Sequence, residues 1–243
     1  MKYNKSILIL LLTALVIVSC GKDDDKTTRR VYVDDTDGVE YHLYDLYIDK
    51  YGNEGLVVYV EGDASYKYIQ VISVDETITT WGPTGETILK GNPDSLVYNP
   101  NFSLAMLQCM KTRGIEHFPA QRWCDAKNNG EPYPRTSSWM LPAYLDWYGI
   151  CGEHGINVDS INSHLVALGK TPLTKNDYYW MCDEDYDEYM SMVNSPNQNY
   201  DSDNRAVPCM PLIKGLMDKD FWIKKHKHRV RAVKVIQYYI DKR

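Results

Sequence analysis

The residues of this chain with chemistry to offer gather in its second half. Residues 176–204 hold eight carboxylates (Asp177, Asp183, Glu184, Asp185, Asp187, Glu188, Asp201, Asp203) and no Lys or Arg. Five tyrosines (Tyr178, Tyr179, Tyr186, Tyr189, Tyr200) are interleaved with small polar residues, Asn197 and Asn199 among them. Tyrosine gives contact area at low entropic cost and Asn, Ser and Asp adapt their hydrogen bonds, which is the composition of recognition loops. A ligand face built from Tyr178, Tyr179, Tyr186, Tyr189, Tyr200, Asp183, Asp185, Asp187, Asn197 and Asn199 is therefore expected; the alternative is a long solvated loop whose tyrosines cover a core. Asp183, Asp185 and Asp187 are hard oxygen ligands that could gather calcium. An EF-hand loop counted from Asp183 needs Gly sixth and Glu twelfth, however, and Glu188 and Asn194 stand there. No metal site and no cofactor are expected, and any calcium would sit at those three aspartates.

Cysteine and histidine supply the other reactive groups. Apart from Cys20, the cysteines are Cys109, Cys124, Cys151, Cys182 and Cys209, whose spacings match no zinc pattern. One or two disulfides are open to an exported chain, and Cys124, beside Trp123, is expected to be buried. His226 and His228 lie within Lys224-Lys225-His226-Lys227-His228-Arg229, a basic stretch without a third ligand that reads as a solvated turn. There is no nucleophile elbow and no Gly-rich phosphate loop, so no catalytic residue is nominated.

The start of the chain decides where these groups work. Lys2 and Lys5 precede an uncharged apolar run over residues 7–18, and Ile17-Val18-Ser19-Cys20 resembles the lipobox at which bacterial lipoprotein signals are cut. The run is short of the ~20 residues needed to span a bilayer. Residues 1–19 are thus expected to be a removed signal, with Cys20 acylated and inserted in outer-membrane lipid. The following Gly21-Lys22-Asp23-Asp24-Asp25-Lys26 resembles a short acidic surface-export signal of lipoproteins in one large phylum of gut-dwelling Gram-negative bacteria, which implies display on the cell surface. Residues 20–37 read as a lipidated acidic tether and 38–243 as one domain.

Composition agrees with a folded domain: 44% hydrophobic and 25% charged residues in a chain of 243. Tyr 20 and Trp 6 against Phe 3 suggests rings at wet boundaries and contact surfaces. The net charge of −6 becomes −8 when Lys2 and Lys5 leave with the signal, which disfavours a nucleic-acid partner.

The elements that must hold these residues follow from periodicity. Residues 55–60 and 68–74 are short β-branched and aromatic runs bounded by turn signals. Ser103 is placed to cap a helix carrying Leu104, Leu107 and Met110, and Pro119 to open a short one with Ala120, Trp123 and Cys124. Leu141, Leu145 and Tyr148 are spaced for a third helix. Ile161, Leu165 and Leu168 mark a fourth over residues 159–168, stopped at Gly169. Residues 229–236 read as one closing strand. The fold class expected is α+β.

Five fragments carry a resemblance. Tyr51-Gly52-Asn53-Glu54-Gly55-Leu56-Val57-Val58, Phe118-Pro119-Ala120-Gln121-Arg122-Trp123-Cys124, Trp139-Met140-Leu141-Pro142-Ala143, Tyr179-Trp180 and Val230-Arg231-Ala232-Val233 occur in the order seen in the Lcl carboxy-terminal domain family. Its members, common in bacterial surface lipoproteins, resemble C-type-lectin-like folds and are similar to the variable proteins of diversity-generating retroelements. The resemblance implies a mixed or antiparallel sheet with flanking helices, a long irregular loop region as ligand face, and a closing strand beside residues 56–60. Trp139 and Trp180 then belong to the core. The chain departs from the family after Tyr179-Trp180, where Met181-Cys182-Asp183-Glu184 stands, and over residues 194–211, where a glycine-rich hairpin is usual.

These readings converge on a surface-displayed lipoprotein with a non-catalytic recognition or adhesin domain, whose partner is an extracellular protein or glycan. Two alternatives stay open. One is an enzyme similar to the formylglycine-generating enzymes, whose paired cysteines would nominate Cys182 or Cys209; their closing motif ending in Gly-Phe-Arg is replaced here by Val230-Arg231-Ala232-Val233. The other is a structural subunit of a surface assembly.

Overall fold

The computed structural model describes residues 30–32, 40–62, 66–84, 88, 102–130, 138–151, 157–184, 205–211, 217–219 and 222–239. Among the described residues, two sheets and four α-helices form an α+β arrangement. The first sheet is ordered β1 (Arg30–Tyr32), β2 (Leu46–Ile48), β3 (Glu54–Gly62), β4 (Tyr66–Ser73) and β11 (Val233–Tyr239), antiparallel except for β1 beside β2. The second is ordered β5 (Thr77–Thr80), β10 (Lys227–Val230), β6 (Tyr179–Glu184), β7 (Arg205–Pro211) and β8 (Met217–Lys219). There β9 (Trp222–Ile223) also pairs with β7, and only β10 and β6 run parallel. The helices are α1 (Phe102–Thr112), α2 (Pro119–Ala126), α3 (Tyr144–Cys151) and α4 (Val158–Ala167).

Side chains alternate between two cores along the strands. Val57, Ile69, Val71, Trp180 and Cys182 enter one core with Met106 and Met110 of α1 and Ala120 and Cys124 of α2. Their neighbours Leu56, Val58, Ile72, Tyr179 and Met181 enter the other with Trp147 and Ile150 of α3 and Ile161 and Leu165 of α4. Successive strand residues point to opposite faces, so a strand covered on both faces reads as an unbroken apolar run, as residues 56–58 do. Gly55 permits the approach of Trp139: a Cβ there would stand 2.3 Å from Val71 Cγ1 and 2.8 Å from the indole.

The closing strand departs from expectation twice. It does not lie beside residues 56–60, because β4 intervenes between β3 and β11. Nor is it single: Lys227–Val230 pairs with β5 in one sheet and Val233–Tyr239 with β4 in the other. Between the Ile72 and Val233 pair and the Thr77 and Val230 pair, residues 73–76 oppose only Arg231 and Ala232. The surplus on one side bends the ribbon, as a bulge does on a smaller scale. Ser73 N–H donates to Ala232 O at 2.8 Å, Ala232 N–H to Ser73 Oγ at 3.0 Å, and the buried Arg231 guanidinium to Ser73 O at 2.9 Å.

Helix limits follow local chemistry. Pro119 occupies the first turn of α2, where its missing N–H costs nothing. Asn157 caps α4 by accepting from Asp159 N–H at 2.9 Å. Gly169, at φ +67°, ends that helix, with Lys170 N–H donating to Leu165 O at 2.8 Å and Gly169 N–H to Val166 O at 2.9 Å. Two expected limits are corrected. Leu141 precedes α3, since Pro142 disfavours helical backbone at the residue before it. Ser103 lies inside α1 rather than capping it. In the stretch read as tether, residues 30–32 form β1, to which the alternation of Arg30, Val31 and Tyr32 is suited.

Candidate ligand face and its support

β6 connects the core to the acidic segment. Tyr179, expected at the ligand face, is 0% exposed and is corrected to a core residue. Its ring packs on Trp147 at 5.4 Å, its hydroxyl donates to Glu76 Oε2 at 3.0 Å and accepts from Thr174 N–H at 3.1 Å. The alternation that sends Trp180 to one core sends Tyr179 to the other, leaving neither for solvent. Trp180 Nε1 donates to Thr79 O at 3.0 Å. Asp183 is partly exposed and accepts the first N–H of α3, from Tyr144, at 2.8 Å, where the helix dipole favours a carboxylate. Tyr178 is partly exposed and meets His228 edge-on at 5.9 Å. Tyr186, Tyr189, Tyr200, Asp185, Asp187, Asn197 and Asn199 lie outside the described residues, as do residues 1–29 with Cys20. β6 and β7 pair antiparallel, with Glu184 opposite Ala206, so β6 ends and β7 begins at one end of the second sheet.

Beneath β6 lies a polar knot. Cys182 Sγ is 3.8 Å from Ser103 Oγ, which donates to Asp146 Oδ2 at 2.6 Å and accepts from Ala143 N–H at 3.0 Å. Asp146 also takes Ala143 N–H at 2.7 Å and Gln70 Nε2 at 2.8 Å. Burial raises the Asp146 pKa against the pull of these hydrogen bonds. Burial first, then the carboxylates of Asp183 and Asp146, pushes the Cys182 thiol well above its ordinary value. A thiol so held is a poor nucleophile, since the thiolate is the reactive form. Cys109, Cys124, Cys151 and Cys182 are all free thiols.

Sequence reasoning overlooked the charged seam at the corner of the sheets. Glu76 accepts from Arg229, from Arg231 Nη2 at 2.9 Å and from Tyr179, while Arg229 Nε donates to Asp177 Oδ2 at 3.0 Å. His228, expected in a solvated turn, is buried against Trp180 at 4.6 Å; His226 is exposed. The alternation that exposes Lys227 turns His228 inward. A concavity of about 350 Å³ lies between Asn53, Val74 and Thr171, and its lysines are neutralised, Lys127 by Asp75 and Lys170 by Glu54. Among the described residues no cluster of His, Cys, Asp and Glu is built to hold a metal, and no helix is long and apolar enough to cross a membrane.

No family model matches the sequence, and no curated protein matches it. The structure is similar to a crystal structure of a fimbrial protein from Bacteroides ovatus, with a TM-score of 0.49 and 11% identity. The match covers 69% of this chain and 35% of that one, so the chain spans about a third of the length of that protein.

Proposed function

We propose that the chain is a lipid-anchored bacterial surface protein of the Lcl carboxy-terminal type, with a C-type-lectin-like domain that binds an extracellular protein or glycan through Tyr178 and residues 183–204 and performs no chemistry. The observation that carries the binding reading is the pairing of Glu184's strand with that of Ala206 at the base of the acidic, tyrosine-rich connection. A connection of that length between two paired strands is usually functional, and loops on rigid scaffolds carry recognition. The five fragments behind the family resemblance also share one core, to which Val57, Ala120, Trp139, Trp180 and Val230 each bring a buried side chain. The buried, hydrogen-bonded Cys182 supports the non-catalytic part of the reading.

The test is a glycan and protein array probed with the mature chain carrying Cys20→Ala, with and without calcium. Tyr186, Tyr189 and Tyr200 replaced together by Ala should weaken the captured ligand at unchanged thermal stability, and rising salt should weaken it as well. Val233→Ala, at a buried site, should instead cost about 1.5 to 3 kcal/mol of stability. Unchanged affinity in the tyrosine variant would remove the ligand face. For the anchor, Cys20→Ala in cells should release the protein from the membrane fraction, because acyl chains supply ~0.8 kcal/mol per buried CH₂.

A further inference from the structure

The second sheet ends at an open strand. β5 pairs with β10 on one side and with no strand of the described residues on the other. Arg229 N–H donates to Tyr178 O at 3.0 Å, so the backbone of Arg229 faces β6 and that of its neighbours His228 and Val230 faces β5. Their partners Thr79 and Thr77 face back, which leaves the N–H and C=O groups of Ile78 and Thr80 directed to the open edge. The Ile78 side chain is 54% exposed.

Alongside this edge runs a groove of about 470 Å³, with Thr77, Ile78 and Thr79 on one wall and Pro119, Arg122 and Trp123 of α2 on the other. Trp123 is steadied by the Lys127 ammonium 4.5 Å from its ring centre, and Lys127 by Asp75. The charge on the groove wall is Arg122, whose exposed side chain enters no ion pair or hydrogen bond among the described residues.

We propose that this groove docks an extended, acidic segment of another protein by strand addition. An unpaired strand offers alternating donors and acceptors that another backbone in extended form complements. Ile78, Pro119 and Trp123 supply apolar contact for alternate side chains of the incoming strand. Arg122 selects a carboxylate over an ammonium group on that strand. The proposal does not depend on the ligand that the acidic, tyrosine-rich segment would take.

The probe is a fluorescein-labelled peptide of alternating Glu and Val, titrated by anisotropy into the mature chain carrying Cys20→Ala. Two control peptides replace Glu by Lys or methylate alternate backbone nitrogens. Saturable binding is expected for the acidic peptide alone. Arg122→Glu should weaken it at least about tenfold, and Ile78→Pro, which removes the N–H directed to the edge, should do likewise. Both side chains are exposed, so the variants should melt as the parent does, and a variant that does not is replaced by Arg122→Gln. Absence of saturable binding, equal binding of either control peptide, or indifference to the folded variants would overturn the proposal. So would sedimentation of the parent as a dimer that Arg122→Glu dissolves, since the groove would then belong to a second copy.

Discussion

Trp139 Nε1 donates to Asp49 Oδ2 at 2.9 Å, fastening the turn after β2 to the run that precedes α3. Asp49 takes three further bonds: Tyr51 N–H and Asn53 N–H at Oδ1, both at 2.9 Å, and Asn53 Nδ2 at Oδ2, at 2.8 Å. Trp139 is held in turn by Asn128, which accepts its N–H at 2.7 Å and donates to its carbonyl at 3.0 Å.

Because both oxygens of Asp49 accept two donors, Asp49→Asn places an NH₂ group against two N–H groups whichever way the amide turns. The expected loss is about 1 to 3 kcal/mol for each donor left buried and unsatisfied. Urea denaturation checks this, and a double-mutant cycle with Trp139→Phe should show coupling between the two sites. Additive losses would remove the bond from the account of stability.

Glu76 sits between Arg231, whose side chain is 0% exposed, and Arg229, whose side chain is 28% exposed. Glu76→Ala leaves the Arg231 guanidinium buried without its counter-charge, and the expected cost is about 3 to 5 kcal/mol. Arg229→Ala should cost less, about 1 kcal/mol or under, since water reaches that partner. Thermal melts of the two variants should therefore rank in that order.

His228 is packed edge-on against Trp180, and burial lowers its pKa below the ordinary 6.5. His226 works in the same direction and Asp177 against it. In the window from 6.5 down to the lowered value the unfolded chain binds a proton that the folded chain refuses, so this contribution to stability is lost as pH falls through the window. A stability profile from pH 7.5 to 5 should slope downward toward acid, and His228→Gln should flatten the slope. An unchanged slope in the variant would assign the acid sensitivity elsewhere.

Cys109 is the partly exposed member of the four described thiols; burial raises its pKa, with Arg113 working against that, while burial raises Cys124 far above its ordinary value and Cys151 to about 12. Alkylation of the native protein should accordingly label Cys109 first and leave Cys124, Cys151 and Cys182 for the denatured state. Rapid stoichiometric labelling of native Cys182 would revive a cysteine-dependent oxidase.

Much of the local structure was legible because it rests on short-range chemistry. The apolar runs of β3 and β4, Pro119 at the head of α2, and Gly169 at the foot of α4 each declare themselves within a few residues. The enrichment of acid and tyrosine over residues 176–204 is likewise a property of the chain itself. Tertiary structure alone decided which tyrosine is surface. Tyr178 and Tyr179 are adjacent and of one type, and only the two-core arrangement buries the second while its neighbour stays partly exposed. It also decided that residues 229–236 divide: strand propensity is continuous through Arg231, and the bend comes from the longer opposing run at residues 73–76, which no local pattern in the closing strand records. The edge that β5 forms among the described residues has the same origin, since a strand becomes an edge only by what fails to pair with it.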